Sequence, residues 1–360
     1  MEPRSLEELV TPAAIVDVTT MAANLDAMAG YVAAHGLDLW PHTKTHKTPE
    51  LAHQQLRRGA RGVTVATLHE AETMAAVADD ILIAYPPVGA PKLKRLAALA
   101  DRKRVTVALD SLEALDQLRR AAVPVRVLVE IDAGMHRVGV TDPAAAVQLA
   151  RAVTEAATLE YAGVLFYPGH IREHVAAQTE PINHTTARLL EFTEALQHAG
   201  LPPRRVSGGS TPTATNSHLM RGVTEIRPGT YIFNDRTTAA VGACAWRDCA
   251  YTVLATVVST SIAGQVAVDA GSKALSREDI RGADAPGFGA LLDRPDVVVK
   301  ALSEEHGLLD ISQTDWRPRV GDRVRIVPNH VCVSVNLHAR LWLVDGDELV
   351  GTYEVRARGW

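Results

Sequence analysis

The sequence has little cysteine, no excess of positive charge and no long hydrophobic run. Its three cysteines are an odd number for a 360-residue chain, which argues against a disulfide framework and favours reduced thiols, one of them available to a metal. A net charge of -5 provides no basic field, so no nucleic-acid partner is expected. Without a membrane-length apolar run or a signal peptide's charged and apolar regions, we expect a cytoplasmic protein with no membrane partner.

The remaining composition, 47% hydrophobic, supports full cores. Short β-branched runs alternate with amphipathic helices for about 230 residues. Buried, non-alternating strands of this kind pair in parallel. The predicted fold class is therefore α/β, with a (β/α)8 TIM-type barrel over residues 13–240.

After about residue 240 the pattern changes to strands separated by turns. A mainly β C-terminal domain is predicted over residues 241–360, completed by residues 1–12. Asp345-Gly346 is a turn that closes a hairpin. The predicted strands are Val253–Val258, Val266–Asp269, Arg323–Val327, Val333–Leu337 and Leu341–Val344.

A lysine-rich stretch stands where a predicted strand ends and a helix begins. Leu37–Trp40 is a short apolar strand, while Thr48, Pro49 and Glu50 suit the first positions of a helix. Because α/β barrels carry their active sites at this end of the strands, Lys44 is predicted to project into the barrel mouth. On its own, such a stretch is more often a solvated basic loop.

Two glycine turns, Ser207–Thr211 and Arg227–Tyr231, also follow predicted strands. Glycine lets backbone N–H groups approach an anion, and the hydroxyls donate further hydrogen bonds. Alone, either turn fits an ordinary tight turn. The segment Asp132–Arg137 has an arginine just after another predicted strand. Together with the two turns, it forms a set of anion-binding groups around one rim of the barrel.

His330 and Cys332 are two residues apart in a predicted strand. Their side chains would point to one face and share an ion, and a thiolate with an imidazole favours zinc. Without further context, a buried thiol in an apolar strand is the more common meaning of this pattern.

Taken together, seven segments resemble the fold-type III pyridoxal-phosphate enzymes, and among them the D-threonine aldolase and D-serine dehydratase family. The resemblance covers nearly the whole chain and implies an alanine-racemase-like barrel followed by a β domain. It also implies a homodimer with active sites at the subunit boundary. The segments are Pro41–Lys47, Asp132–Val140, Phe166–His170, Ser207–Thr213, Arg227–Tyr231, Asp269–Lys273 and Pro328–Cys332.

The resemblance implies pyridoxal 5'-phosphate as cofactor, bound covalently by Lys44, with Arg137 near its phenolic oxygen and its phosphate on the glycine turns. A Schiff-base amine must be unprotonated to react, whereas Lys47 at the rim would be kept charged by hydration. The predicted catalytic residues are Lys44, Tyr167 and His170. The predicted cofactor-binding residues are Lys44, Arg137, Tyr167, Ser207, Gly208, Gly209, Ser210, Thr211, Arg227, Gly229, Thr230 and Tyr231.

Several roles remain open at this stage. Arg227 either faces the pyridine nitrogen or pairs with Glu225. Tyr167 and His170 either face the substrate or serve packing and loop capping. Lys273 is either a second amine near the site or an outward charge. His306 would approach the site from the β domain, and its role is also open.

The resemblance also assigns His330 and Cys332 to a catalytic divalent metal, either zinc, manganese or magnesium. A metal that contacts a β-hydroxyl suits a lyase for D-amino acid substrates and has no purpose in a racemase. The amino-acid sequences of the segments favour retro-aldol cleavage of D-threonine-type substrates to glycine and an aldehyde. The histidine–cysteine pair keeps open the alternative, a zinc-dependent D-serine or D-threo-3-hydroxy amino acid dehydratase; an amino-acid racemase ranks third.

Overall fold

Two sheets organise the chain, an eight-stranded parallel barrel and a nine-stranded, mainly antiparallel sheet. The computed structural model describes Pro3 and residues 5–360. The first elements are β1 (Ala13–Asp17), α1 (Val18–His35), β2 (Asp38–Leu39), α2 (Pro49–Arg57), β3 (Val63–Val65), α3 (Leu68–Met74), β4 (Asp80–Ile83), α4 (Ala90–Ala100), β5 (Arg104–Leu109), α5 (Leu112–Ala121), β6 (Val125–Glu130), α6 (Pro143–Thr154), β7 (Leu159–Leu165), α7 (Thr179–His198), β8 (Arg205–Gly208), β9 (Glu225–Ile226) and α8 (Arg236–Ala240).

The second part of the chain is mostly strand, with two short helices. Its elements are β10 (Tyr251–Ser259), β11 (Gln265–Val268), α9 (Ser272–Leu275), β12 (Gly289–Leu291), β13 (Val299–Leu302), β14 (Gly307–Asp310), β15 (Arg323–Pro328), α10 (Val331–Leu337), β16 (Arg340–Asp345) and β17 (Glu348–Glu354).

The parallel sheet closes on itself. Its strand order is β2-β9-β8-β7-β6-β5-β4-β3, and a bridge between His42 and Thr64 joins its two ends. The Thr64 N–H donates to Pro41 O at 2.9 Å across this seam. The predicted barrel is confirmed.

Local sequence explains why strands and helices alternate in the barrel. The helices begin at capping side chains: Thr67, Ser111 and Asp142 each accept the backbone N–H three residues on, which satisfies a donor that helix geometry leaves free. The strands are buried on both faces, as β4 is at every position, because helices cover the outside and side chains fill the inside.

The second sheet begins with the first strand of the chain. β1 pairs antiparallel with β10 and parallel with β16, so the sequence-based domain boundary at residue 13 lies one strand too early. The predicted hairpin at Asp345-Gly346 joins β16 and β17.

One predicted strand, Val333–Leu337, is wrong. The chain leaves β15 at Pro328, turns at Asn329 and His330, and continues as α10. Val331, Ser334 and Val335 are the buried residues of this segment, and their spacing of three and four is helical. A seven-residue segment that is mostly apolar fits either structure by composition alone.

The turn between β15 and α10 lies against the barrel at the short 3-10 helix Thr43–Thr45, since Cys332 of α10 contacts Thr45. The two sheets therefore meet at the carboxyl ends of the barrel strands. None of the helices formed by residues 5–360 is long and apolar enough to cross a membrane.

Candidate active site

A cavity of about 510 Å³ opens where the barrel strands end and the second domain covers them. Most of the predicted site residues meet there. The predicted residues that line it are Lys44, Arg137, Tyr167, Ser210, Thr211, Arg227, Gly229, Thr230, His330 and Cys332. Those that do not line it are His170, Ser207, Gly208, Gly209 and Tyr231.

Lys44 enters the cavity from the 3-10 helix that follows β2. Its Nζ lies 5.9 Å from the centre of the Tyr167 ring, and its backbone N–H donates to His42 Nδ1 at 3.5 Å. Burial, with the nearby charges of Lys44 and Arg227, holds the pKa of His42 well below its ordinary value. A neutral imidazole therefore stands beside the lysine, a feature that the sequence analysis quoted in a motif but left without a role.

Lys47 does not line the cavity, and its side chain is not hydrated at a rim. Its side chain is 12% exposed and pairs with Glu70 Oε1 at 2.9 Å; it also donates to Ala357 O at 3.3 Å. The sequence-based placement of Lys47 at a hydrated rim is therefore corrected: its amine is held by the buried Glu70 carboxylate.

The two glycine turns lie against each other. The Gly229 N–H donates to Thr211 Oγ1 at 3.2 Å, and a Cβ added at Gly229 would lie 2.7 Å from Thr45 Oγ1. A Cβ at Gly208 would lie 2.4 Å from the Phe166 ring, so this glycine serves packing behind the cavity. Backbone and hydroxyl groups of the two turns reach one end of the cavity, where they fit a phosphate.

Ser207 and Tyr231 face the protein interior. The Ser207 hydroxyl is buried without a partner. The Tyr231 hydroxyl accepts a hydrogen bond from Gln55 Nε2 at 3.0 Å in the core. Their side chains therefore contribute to the phosphate site by supporting its turns.

Arg227 is buried at the floor of the cavity. Its Nη2 donates to Phe166 O at 2.5 Å, while its Nε is buried without a partner. The alternative partner Glu225 is held instead by Arg205, with N–O distances of 2.7 and 2.8 Å. Arg227 thus keeps a donor for an acceptor inside the cavity, since buried donors without partners are rare in proteins.

Glu130, at the end of β6, is a cavity residue that the sequence analysis missed. Burial raises its pKa to about 7; Arg227 and Arg137 offset part of that effect, and Asp110 adds to it. Arg137 itself lies 5.3 Å from the centre of the Tyr167 ring. A strand's last residue carries no local signal of its environment, because its neighbours come from other strands.

His330, the N-cap of α10, and Cys332, in the first turn of α10, lie side by side rather than along a strand. His330 Nδ1 lies 3.2 Å from Asp235 Oδ2, which also accepts the Val331 N–H at 3.0 Å. Cys332 Sγ lies 3.2 Å from Thr45 Oγ1. Asp235 was missed from sequence, although the pattern of a capping residue followed three positions later by threonine marks it as the N-cap of α8.

These contacts polarise the pair. Burial opposes ionisation of Cys332, but His330 and Lys44 outweigh it and lower the thiol pKa. Burial likewise opposes protonation of His330, but Cys332 and Asp235 outweigh it and raise the imidazole pKa. Cys332 thus lies beside a histidine whose Nδ1 is engaged by a carboxylate, the usual arrangement of a metal-binding histidine.

The remaining predicted residues lie elsewhere. His170 lines a separate cavity of about 250 Å³, where its Nε2 lies 3.3 Å from Thr185 Oγ1. Lys273 pairs with Glu304 and Glu305 on the surface, so it is an outward charge. His306 is exposed between β13 and β14. The structure does not bring these three side chains to Lys44.

The cavity fits both groups that the sequence predicts. A lysine amine, a tyrosine ring, two backbone turns and the unpartnered Arg227 Nε suit pyridoxal phosphate. His330 and Cys332 suit a soft divalent metal.

Known proteins match this chain along its full length. Residues 16–237 match the family described as alanine racemase, N-terminal domain, and residues 250–344 match the putative serine dehydratase domain. D-threonine aldolase of Arthrobacter sp is 31% identical over 99% of this chain and 94% of its own. D-threo-3-hydroxyaspartate dehydratase of Delftia sp. (strain HT23) is 34% identical over 99% of both chains.

Solved structures agree in fold. D-threonine aldolase from Filomicrobium marinum superposes with a TM-score of 0.90 at 31% identity, over 99% of both chains. Two mutants of D-threo-3-hydroxyaspartate dehydratase, each 33% identical with a TM-score of 0.90 and covering 99% of this chain, replace a histidine and, two positions later, a cysteine with alanine. They cover 97% and 100% of their own chains, and the cysteine mutant is in the metal-free form. The chain therefore belongs to the D-threonine aldolase and D-serine dehydratase family of fold-type III pyridoxal-phosphate lyases.

Proposed function

We propose that this lyase depends on pyridoxal phosphate and a divalent metal, and that it removes the hydroxyl of D-β-hydroxy-α-amino acids as water; the released enamine takes up one water and hydrolyses to a keto acid and ammonia. The pair of His330 and Cys332 beside Lys44 carries the proposal. The Delftia dehydratase has a histidine and a cysteine at the same spacing. This shared pair outweighs the similarity of the seven sequence segments to aldolases, which favours an aldolase from sequence alone.

When bound, pyridoxal phosphate withdraws electrons from Cα and the metal polarises the β-hydroxyl. Lys44 Nζ takes the proton from Cα. His330 and Cys332 hold the ion, and Asp235 fixes the orientation of the His330 ring. Thr45, next to Lys44 in the chain, contacts Cys332, so proton transfer and metal binding occur at a fixed separation.

Cleavage of the Cα–Cβ bond is the second candidate. Two D-threonine aldolases are among the full-length relatives. The first event in that route is removal of the β-hydroxyl proton; the neutral His42 ring does not supply the base, because its Nδ1 already accepts the Lys44 N–H.

A product assay separates the two reactions. The protein loaded with pyridoxal phosphate and zinc is incubated with D-serine, D-threonine and D-threo-3-hydroxyaspartate, and keto acid, ammonia, glycine and aldehyde are quantified. Keto acid and ammonia are expected. Glycine and aldehyde as main products would replace elimination by aldol cleavage, and no product from any substrate would overturn both.

The metal site has a matched control. Cys332→Ala and His330→Ala should each lower turnover by about 100-fold or more while the cofactor still binds. Cys249→Ala removes a buried thiol that does not line the cavity and should keep activity. Full activity of the Cys332 variant after chelation would contradict the metal's role.

We also propose zinc as the metal and a homodimer as the active form. Thiolate ligands favour zinc over magnesium or manganese. Tyr85 and Val138 line the cavity and are 44% and 40% exposed, which suits a mouth covered by a second copy. Metal analysis of the active protein and light scattering test these points; a magnesium-only enzyme or a monomer would contradict them.

A further inference from the structure

The residues on either side of Lys44 are anchored to different parts of the molecule. Thr43 Oγ1 donates to Thr64 O at 3.2 Å, next to the seam of the barrel. Thr45 Oγ1 lies 3.2 Å from Cys332 Sγ, which belongs to the second domain. Thr43 and Thr45 are both fully buried, whereas Lys44 between them lines the cavity.

Lys47 ends this segment, residues 43–47, hereafter the lysine segment, in a conformation that is unusual for lysine. Its φ is +54°, in the left-handed region that favours glycine. Its N–H donates to Thr43 O at 2.8 Å, which closes the segment around Lys44. A residue other than glycine keeps this conformation only where its surroundings fix it, so the contacts of Lys47 must offset the strain.

The Lys47 side chain is held by two groups from distant parts of the chain. Its Nζ donates to Glu70 Oε1 at 2.9 Å and to Ala357 O at 3.3 Å. Glu70 is 1% exposed, and its Oε2 accepts the Ala66 N–H at 2.7 Å. Because Ala66 lines the cavity, the ion pair lies directly behind the cavity wall.

The residues that follow β17 complete this arrangement. Residues 355–357, hereafter the clamp, lie against the lysine segment, and the Ala357 N–H donates to Lys47 O at 3.0 Å. Ala357 and Lys47 therefore share two hydrogen bonds, one in each direction. Val355 and Ala357 are 3% and 0% exposed, so the clamp is packed into the protein and does not lie free on its surface.

Lys47 is placed to act through Lys44 and not on a substrate. Its amine is occupied by Glu70 and Ala357, and its side chain does not line the cavity. Its backbone closes the turn that presents Lys44, which makes Lys47 a positioning residue. Small displacements of a reacting group cost large factors in rate, so the anchoring of this turn matters for any chemistry at Lys44.

We infer that Lys47 and the clamp position Lys44, so that the second domain fixes the reactive lysine of the barrel. This rests on the proposed function only for Lys44 as the lysine that binds the cofactor, and it holds whichever bond of the substrate is broken.

Hydrogen exchange of the cofactor-free protein measures the clamp directly. Two variants remove it: Lys47→Met keeps the length of the side chain without its charge, and a chain that ends at residue 354 lacks the clamp. In both, the amides of residues 46 and 47 should exchange at least about 10-fold faster than in wild type. Unchanged exchange in α6 shows that each variant is folded, and unchanged exchange in the lysine segment would overturn the inference.

Cofactor binding and kinetics separate positioning from stability. Both variants should weaken the Kd of pyridoxal phosphate, measured by absorbance titration, by at least about 10-fold. At saturating cofactor, kcat should fall by about 10–100-fold while KM changes less than about 3-fold. Lys47→Arg keeps a cation that reaches Glu70 and should restore most of both values.

Two matched controls come from the same part of the chain. Arg356→Ala removes an exposed clamp side chain that pairs with Glu50 and not with Lys47, and a chain that ends at residue 358 keeps the clamp. Both should behave as wild type.

Two functional results would also overturn the inference. Lys47→Met with wild-type Kd and kcat would show that Lys44 needs no clamp, and an Arg356→Ala defect equal to that of Lys47→Met would show a general effect of the surface. A wild-type protein that attaches the cofactor to another lysine would instead overturn the proposed cofactor site, which the exchange measurement does not depend on.

Discussion

Replacing Glu130 with glutamine should change how the stability of the cofactor-free protein depends on pH. The carboxyl group is buried at the end of β6, and its pKa is raised from an ordinary value of 4.5 to about 7. Between these values the folded protein keeps a proton that the unfolded chain releases. Wild-type stability therefore loses a contribution as the pH rises from about 4.5 to about 7, and the loss is complete above pH 7.

The size of the effect follows from the same interval. At about 1.4 kcal/mol for each pH unit, ionising Glu130 costs about 3 kcal/mol of unfolding free energy. Glutamine has nearly the same shape and cannot ionise. The stability of Glu130→Gln relative to wild type should thus be about 3 kcal/mol more favourable at pH 8 than at pH 4.5, whatever cost the buried amide adds at both values.

Urea unfolding followed by circular dichroism at several pH values measures this difference. His46 affects the pH dependence of stability in the opposite sense. Burial lowers its pKa to about 4, so its contribution to the unfolding free energy is lost as the pH falls below 6.5. That slope is common to both proteins and cancels in the comparison. Glu194→Gln, on the exposed face of α7, is the control. A variant-minus-wild-type difference that stays constant across pH would show that Glu130 ionises normally.

Three further outcomes are expected. Borohydride reduction of the cofactor-loaded protein should attach the cofactor to Lys44, and peptide mapping that finds the label on another lysine would refute the assignment. Asp235→Asn should weaken metal binding by about 10–100-fold in a chelator competition, because the His330 ring loses its carboxylate partner. Unchanged metal affinity would show that Asp235 does not support metal binding by His330. Gly208→Ala should lower the unfolding free energy by about 1–3 kcal/mol in a urea titration, since its Cβ would overlap the Phe166 ring; wild-type stability would mean that the ring moves freely.

The barrel could be predicted from sequence because its signals are local. Each β-α unit has a buried apolar run, a helix-capping residue and a turn. These local signals identify the strand and the helix without information about which elements they pack against. Lys44 and the turns at Ser210 and Gly229 were found for the same reason: they follow strands, and parallel strands bring their carboxyl ends to one rim.

What sequence could not provide depends on contacts between distant residues. Asp235 is the partner of His330 only because α8 lies next to the turn after β15. The unusual pKa of Glu130 arises from burial and from charges on other strands. The helix at Val331–Leu337 was mistaken for a strand because a short apolar run carries no period long enough to separate the two structures.

The position of β1 in the second sheet has a consequence for how the chain folds. β1 is synthesised before the barrel, yet its neighbours β10 and β16 follow the barrel, the latter close to the end of the sequence. Contacts of such high sequence separation slow folding. β1 therefore stays unpaired until nearly the whole chain has been synthesised. A fragment that ends at residue 240 keeps an apolar strand with two bare edges, which favours aggregation. A fragment that begins at residue 18 leaves a slot between β10 and β16 that a peptide with the sequence Ala13–Asp17 would fill.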